Sequence, residues 1–324
     1  MVAVVVSQPS PDDPLAALEV LDTAPEPVEA PPPDWVPVTV RAASLNHHDV
    51  WSLRGVGLPA ERMPMVLGTD AAGVGPDGEE VVVHGVVSDP AWTGDETEDP
   101  RRSLLSERWP GTFTTTVHVP RRNLVPKPAG LSFEEAACLP TSWLTAYRML
   151  FTKAGAAPGQ TVLVQGAGGG VATALVSLGA AAGLRMWVTS RDEGKRRRAL
   201  ELGADAAFPS GERLPERVDA VMETVGEATW SHSLRALRPG GAVVVSGATS
   251  GAMPPADLQR VFFLQLRVLG STMGTREELG RLLRLCASSG VRPLVDSVLP
   301  MADAADGFAR MVSGEVVGKV VLVP

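Results

Sequence analysis

The stretch from Thr161 to Leu184 constrains this chain more than any other, because it carries no charge and is long enough to cross a bilayer. It does not read as a membrane span. Gln165, Thr173 and Ser177 interrupt it, and glycines cluster at Gly166 and at Gly168 to Gly170, which is the composition of a turn. The pattern is a buried strand over Thr161 to Gln165, a tight turn, and a small-residue helix over Gly170 to Ala182. A strand that enters a glycine-rich turn and opens a helix lets backbone N–H groups and the helix dipole receive a dinucleotide pyrophosphate. Gly166, Gly168, Gly169 and Gly170, followed by Val171, are therefore candidate cofactor-binding residues. Ala172 takes the last place of the fingerprint, where a small residue lets helix and strand pack closely.

The alternation continues downstream. Strands are predicted at Arg185 to Thr189, Val218 to Glu223, Ala242 to Ser246 and Arg267 to Gly270. Helices are predicted at Glu193 to Leu202, ended by Gly203, and at Ala228 to Leu237. Near-continuous apolar strands separated by helices imply a parallel sheet covered on both faces, the doubly wound architecture. The first third reads differently, with short apolar runs such as Val36 to Ala43 and Val81 to Val87 broken by Pro and Gly, as in a β-rich domain. Asp89 to Arg108, rich in charge and Pro, reads as a solvated loop. Ser132 followed by Glu134 and Glu135 caps a helix start. A helix at Arg276 to Ser289 and a strand at Lys319 to Val323 return to the β-rich domain. The expected division is thus 1–126 with 272–324, and a dinucleotide-binding domain at 127–271.

Charge and cysteine content narrow the class. A formal net charge of −8 repels phosphate backbones, and the basic run Lys195 to Arg198 is too short for a nucleic-acid stripe. The 2 cysteines, Cys138 and Cys286, are far apart in sequence, so they build neither a disulfide framework nor a four-cysteine metal site. With no basic leader before the opening apolar run, the expected location is the cytoplasm, with no membrane association and a small-molecule substrate.

The end of the second predicted strand bears on cofactor choice. NAD-binding domains place a carboxylate there for the ribose hydroxyls, whereas this chain has Thr189, Ser190 and Arg191, with Lys195 one turn on. A hydroxyl and cations suit a 2′-phosphate, so NADPH is expected on Ser190, Arg191 and Lys195. The alternative leaves Arg191 in solvent and Asp192 on the ribose.

Several motifs then occur in order along nearly the whole chain. They are AlaAlaSerLeuAsnHisHisAsp at Ala42 to Asp49 with Arg54 and Gly55, LeuGlyThrAspAlaAlaGly at Leu67 to Gly73, AsnLeuValProLysPro at Asn123 to Pro128, Leu139-Pro140, LeuThrAlaTyr at Leu144 to Tyr147, LeuGlyAlaAsp at Leu202 to Asp205, and GlyLysValValLeu at Gly318 to Leu322. In this set the chain resembles the medium-chain dehydrogenase/reductases, and within them the zinc-free, quinone oxidoreductase-like subgroup. The resemblance implies a GroES-like catalytic domain with an inserted Rossmann domain, and NADPH-dependent hydride transfer to a quinone or α,β-unsaturated carbonyl.

Zinc-dependent members hold their catalytic ion at positions that correspond here to Asn46, Thr69 and a residue near Thr141, none of them a thiolate or imidazole. Asp89 to Arg108, where a structural zinc lobe would fall, has no cysteine. No metal is expected at either place. His47 and His48 are adjacent, so on a strand they would face opposite ways and could not chelate one metal without a third and fourth ligand nearby. The resemblance puts Asn46, His48, Trp51 and Thr69 on the substrate wall, His47 and Lys319 on the pyrophosphate, and Thr145 and Val171 against the nicotinamide. A Tyr is common where Trp51 stands, which leaves His48 or water as proton donor, and His48 also reads as an inert histidine. Asn46 and Asp49 read equally as turn and cap residues, Tyr147 as packing, and Cys138 as a small core residue. Arg267 to Gly270 is an expected dimer edge. The alternatives are a zinc-free alcohol or aldehyde reductase, and an NADPH-binding redox sensor without turnover.

Overall fold

A computed structural model describes residues 2–324. The chain divides into two compact units, Met1–Ser142 with Met273–Pro324, and Trp143–Thr272.

In the first unit the spine is a sheet ordered Leu124–Pro126, Glu80–Val83, Asp70–Val74, Val36–Ser44, Lys319–Val323 and Val295–Pro300, with Thr116–Val119 also pairing on Val36–Ser44. The neighbours are antiparallel except the last two strands. Leu18–Leu21, Ala3–Val6 and Met65–Val66 form a smaller sheet. Apolar residues that alternate inward along these strands, among them Val38, Val40, Leu67, Val81, Val83 and Val117, close one core with Phe113, Phe308 and Leu322. The C-terminal strand enters this sheet directly, with Val321 opposite Ser44 and Leu322 opposite Ala43. That register brings Lys319 to the start of the helix His47–Leu53.

The second unit carries a six-stranded sheet ordered Ala206–Phe208, Arg185–Thr189, Thr161–Gln165, Val218–Glu223, Leu237–Val245 and Arg267–Gly270. Every neighbouring pair is parallel. The chain builds outward from Thr161–Gln165 first to one side and then to the other, so the strand order reverses beside that strand, where doubly wound sheets receive their ligands. The uncharged stretch is accordingly a five-residue strand followed by the helix Gly170–Ala181. Among the described residues no helix is long and apolar enough to cross a membrane.

Several expectations need correcting. The segment Asp89 to Arg108 is not simply solvated: Thr97, Asp99, Leu105 and Ser106 are buried, and Ser103–Leu104 pairs with Val86–Val87. Its acidic residues serve the backbone, since the Asp95 carboxylate accepts from Thr97 N at 2.8 Å and the Asp99 carboxylate from Asp89 N and Arg101 N at 2.6 and 2.8 Å. The apolar run Val81 to Val87 breaks into two strands at His84 and Gly85, where the Asn123 amide donates to His84 O and Val86 O, both at 2.7 Å. The strand predicted from Ala242 starts earlier, at Leu237, through a register shift that absorbs Pro239 to Gly241. The first unit runs to Ser142 rather than ending at Pro126, because the helix Phe133–Ala137, capped by Ser132 as expected, packs on it and Ala137 O accepts from Ser44 Oγ at 3.0 Å.

Candidate active site

In the second unit the glycine turn is built for a close approach. Gly166 sits at φ +87°, a conformation that side chains rarely tolerate, and a Cβ on Gly168 would lie 2.7 Å from Lys195 Cδ. Around Gly169 a Cβ would meet nothing within 4 Å. Gly169 is also the N-cap of Gly170–Ala181, and no side chain caps that helix start. The first-turn N–H groups, with the positive end of the helix dipole, thus face open space, which fits a pyrophosphate. Val171 lies in this first turn, and the helix Leu144–Tyr147, which carries buried Thr145, packs on Gly170–Ala181.

At the neighbouring strand end Ser190 is buried and Arg191 exposed. Asp192 caps the helix Glu193–Glu201, its carboxylate accepting from Lys195 N at 2.7 Å, while Ser190 Oγ accepts from Asp192 N at 3.2 Å. Arg196, which sequence reasoning passed over, donates to Ser190 O at 2.6 Å.

Beneath this rim lies a buried polar chain that no motif announced. Gln165 Nε2 donates to Ser233 Oγ and to His232 Nδ1, both at 2.9 Å, and Gln165 Oε1 accepts from Thr189 Oγ1 at 2.5 Å. Ser233 Oγ donates to Glu223 Oε2 at 2.6 Å, and Glu223 Oε1 accepts from Val225 N and Gly226 N at 2.9 and 3.0 Å. A carboxylate only accepts, so the Ser233 proton goes to Glu223, the Gln165 amide must donate to Ser233, and His232 is left as the neutral tautomer with its proton on Nε2, facing Glu212 O at 2.8 Å. The one signal in the sequence was an apolar strand that ends on an acid, Val218 to Glu223.

In the first unit the structure gathers Asn46, Thr69 and Lys319 into one buried cluster around Asp70. Lys319 Nζ donates to Leu45 O at 2.5 Å and Asn46 Oδ1 at 2.6 Å, and stands 3.6 Å from Asp70 Oδ2. Asn46 Nδ2 and Ser44 Oγ donate to Asp70 Oδ2 at 2.8 and 2.9 Å. Thr141 Oγ1 donates to Asp70 Oδ1 at 2.5 Å and lies 3.0 Å from Thr69 Oγ1. Lys319, expected on the pyrophosphate, is 3% exposed and its ammonium is turned into this cluster. The register of the last strand beside Ser44 delivers it there, and Asp70 and two oxygen acceptors hold it. Asp70 and Thr141 complete the cluster; both lay in or beside quoted motifs, but only their partners disclose their place.

His47 and His48 open the helix His47–Leu53. Asn46 precedes them in extended conformation, and its N–H donates to the Asp49 carboxylate at 2.7 Å. His47 is exposed. His48 Nε2 is buried without a hydrogen-bond partner, 3.9 Å from Glu107 Oε1. Burial holds its pKa below the ordinary value, against the pull of the Glu107 and Asp70 carboxylates. Trp51 is half-buried, with the Arg54 guanidinium 5.2 Å above its ring. Cys138 and Cys286 are buried free thiols, pushed up by that burial to about 12. Tyr147 packs edge-on against Phe151 at 4.9 Å. Among the described residues no three His, Cys, Asp or Glu side chains are placed to hold one ion.

The comparisons with known proteins agree with this layout. The alcohol dehydrogenase GroES-like domain matches residues 32–129, and the zinc-binding dehydrogenase domain matches residues 170–288. The chain is similar to 2-methylene-furan-3-one reductase of Solanum lycopersicum, at 30% identity over 90% of this chain and 72% of that protein. It is also similar to crotonyl-CoA carboxylase/reductase of Cereibacter sphaeroides, at 28% identity over 85% of this chain and 76% of that protein. Among solved structures, an NAD-dependent alcohol dehydrogenase superposes with a TM-score of 0.89 at 35% identity, covering 100% of both chains. The 2-octenoyl-CoA carboxylase reductase CinF, in complex with NADP and 2-octenoyl-CoA, gives a TM-score of 0.89 at 26% identity over 99% of this chain and 87% of that one. A GroES-like unit and a doubly wound dinucleotide-binding unit define an NAD(P)H-dependent oxidoreductase. The chain belongs to the medium-chain dehydrogenase/reductase family.

Asp49 yields a prediction. Its carboxyl is fully buried, Oδ1 has no partner, and burial pushes its pKa from 3.8 to about 7 against the Asn46 N–H bond. The folded state therefore holds this proton more tightly than the unfolded state, so stability present at pH 4 should decline as the pH rises toward 7. At roughly 1.4 kcal/mol per pKa unit, the decline is at most on the order of 4 kcal/mol. Asp49→Asn cannot ionise and should remove that slope. Denaturant titrations of both proteins between pH 4 and 7 that give parallel curves would refute the assignment.

Proposed function

We propose that the protein is an NADPH-dependent reductase that delivers hydride to a quinone or an α,β-unsaturated carbonyl without zinc, and that it works as a homodimer. The reading rests most on the cluster around Asp70. Where zinc-dependent relatives need thiolate or imidazole ligands, Asn46, Thr69 and Thr141 offer an amide and two hydroxyls, already spent on one another, Asp70 and Lys319. Without a Lewis acid, alkoxide chemistry loses its usual support, whereas an electron-poor carbon accepts hydride readily and its oxygen needs only hydrogen-bond donors and a proton.

When bound, the reduced nicotinamide supplies the hydride. The chain's own part is to seat the dinucleotide on Gly166 to Val171 and to hold the acceptor's oxygen on the substrate wall of Asn46, His48, Trp51 and Thr69. His48, whose buried Nε2 is unpartnered, is a candidate proton donor, with water as the alternative. The relatives named as a 2-methylene-furan-3-one reductase and as crotonyl-CoA and 2-octenoyl-CoA carboxylase reductases support an activated double bond as substrate.

NADPH is favoured over NADH because Asp192, the rival for the ribose, is committed to capping its helix, while Arg191 is free to turn to a 2′-phosphate. The dimer reading rests on Arg267–Gly270, an edge strand with exposed Val268.

Steady-state NADPH oxidation with a panel of enones, quinones and aldehydes tests the reading: turnover with enones or quinones supports it, aldehydes alone point to a carbonyl reductase, and tight NADPH binding with no turnover points to a sensor. Arg191→Ala should weaken NADPH by roughly 10- to 150-fold, the worth of a charge-assisted hydrogen bond of about 1.5 to 3 kcal/mol, and leave NADH within about threefold. Equal weakening of both cofactors would return the ribose to Asp192. Purified protein should hold less than about a tenth of an equivalent of zinc and keep its activity in chelator, since the site lacks the ligands zinc takes; stoichiometric zinc would overturn the zinc-free reading. Light scattering should give twice the chain mass of 33.9 kDa, and a monomer would remove the dimer.

A further inference from the structure

In the second unit the crevice where the strand order reverses has two walls, the turn after Thr161–Gln165 and the turn after Val218–Glu223. One chain of hydrogen bonds runs beneath both. Gln165, the last residue before Gly166, and Glu223 are each 0% exposed. Ser233, equally buried on the helix Glu227–Ala236, lies between them, its hydroxyl accepting from Gln165 Nε2 at 2.9 Å and donating to Glu223 Oε2 at 2.6 Å. Glu223 Oε1 holds the second turn by accepting from Val225 N and Gly226 N at 2.9 and 3.0 Å. The two turns come close, for a Cβ on Gly166 would lie 3.6 Å from Val225 Cγ2. Each proton of the chain has a fixed direction. Of the two on the Gln165 amide nitrogen, one goes to Ser233 and the other to His232 Nδ1 at 2.9 Å, which accepts only while that nitrogen is unprotonated. His232 Nε2 donates to Glu212 O at 2.8 Å, so the ring has no place for a second proton.

We propose that Gln165, Ser233 and Glu223 are positioning residues for the dinucleotide, and that protonation of His232 undoes their hold and weakens cofactor binding. The proposal rests on the dinucleotide site read above. A proton on Nδ1 sets two donors, ring and amide, against each other. Turning the amide over gives His232 an acceptor, but it takes the donor from Ser233 and turns an N–H toward Thr189 Oγ1, which in the neutral state donates to Gln165 Oε1 at 2.5 Å. Both walls of the crevice are disturbed, one through Gln165 at the root of the glycine turn and the other through Ser233 and Glu223. The groups that face the ring are the Gln165 amide from its strand, the Glu212 carbonyl from the segment before Val218, and Ser233 with the Glu223 carboxylate behind it. The side chains of Glu212, Glu227 and Arg235 are exposed, and Asp219 and Arg238, on the two strands that the helix packs against, pair with each other. The neutral ring is the binding form, so affinity is full at high pH and is lost as the pH falls.

The test measures NADP+ and NAD+ binding by isothermal titration calorimetry between about pH 8 and pH 5.5 for wild type, His232→Gln and Ser233→Ala. NAD+ lacks the 2′-phosphate, whose own protonation would otherwise enter. A glutamine at 232 can accept from Gln165 and donate to Glu212 O as the neutral ring does, but takes up no proton. Over that range the wild-type Kd for both dinucleotides should rise at least about fivefold more than that of His232→Gln, with the two proteins within about twofold of each other at pH 8. Ser233→Ala should weaken both dinucleotides by about 3- to 10-fold at pH 8, the scale of one hydrogen bond. Wild type gives a second readout that needs no variant. With histidine-selective 15N labelling, the chain's 5 histidines are few enough to follow singly, and saturating NADP+ should lower the pH at which His232 takes its proton, since coupling is reciprocal. The same pH dependence in wild type and His232→Gln, Ser233→Ala binding as tightly as wild type, or a His232 titration that NADP+ does not move overturns the proposal. Tighter binding of NAD+ than of NADP+ removes the NADPH reading and leaves this proposal standing, whereas a protein that binds neither dinucleotide removes both.

Discussion

A buried ammonium set against a buried carboxylate is the interaction on which the first unit depends. Taking each of these ions out of water costs several kcal/mol, and their mutual attraction offsets that cost only when hydrogen bonds satisfy what remains of each. Lys319 and Asp70 meet this condition through Leu45 O, Asn46, Ser44 and Thr141. The arrangement exists only if the last strand, Lys319–Val323, lies beside Val36–Ser44 in the observed register. The C-terminal return is therefore required by the electrostatics of the cluster as well as by the apolar core that Val320 and Leu322 complete.

The second unit shows the same logic with neutral groups around one charge. Glu223 stands at a strand end with five donor contacts, from Val225 N, Gly226 N, Ser233 Oγ and both oxygens' contacts with Thr229 Oγ1. Gln165 at the neighbouring strand end takes its orientation from Ser233 and passes it to Thr189. The ends of three parallel strands are thus tied together just below the glycine turn, so the backbone that must meet a pyrophosphate is held from behind. In both units a carboxylate fixes which way a side-chain amide points, Asp70 for Asn46 and Glu223 for Gln165.

How much of this was legible in the sequence follows from the range of the forces involved. The strands Arg185–Thr189, Val218–Glu223 and Arg267–Gly270 and the helix Arg276–Ser289 lie where the sequence placed them, because apolar runs, caps and glycine stops act over a few residues. The glycine turn was legible for the same reason, being a local demand for φ above zero and an uncapped helix start. The inward turn of Lys319 was not, since its partners are at Leu45, Asn46 and Asp70 and only the sheet register brings them together. The segment Asp89 to Arg108 misled because charge and Pro suggest solvent, whereas Asp95 and Asp99 use their carboxylates on nearby backbone N–H groups and so can be ordered and, for Asp99, buried.

The commitments of Lys319 also limit the chemistry the cluster can offer. Its ammonium has three protons, two of them on Leu45 O and Asn46 Oδ1 and the third on the side of Asp70, so its charge is neutralised internally and is not presented to a ligand as a bound zinc ion's would be. The Thr141 hydroxyl is committed in the same way, its proton on Asp70 Oδ1 at 2.5 Å. The pairing of Lys319 with Asp70 therefore reaches beyond stability: it leaves the cluster without an unbalanced positive charge of the kind that supports a localised alkoxide.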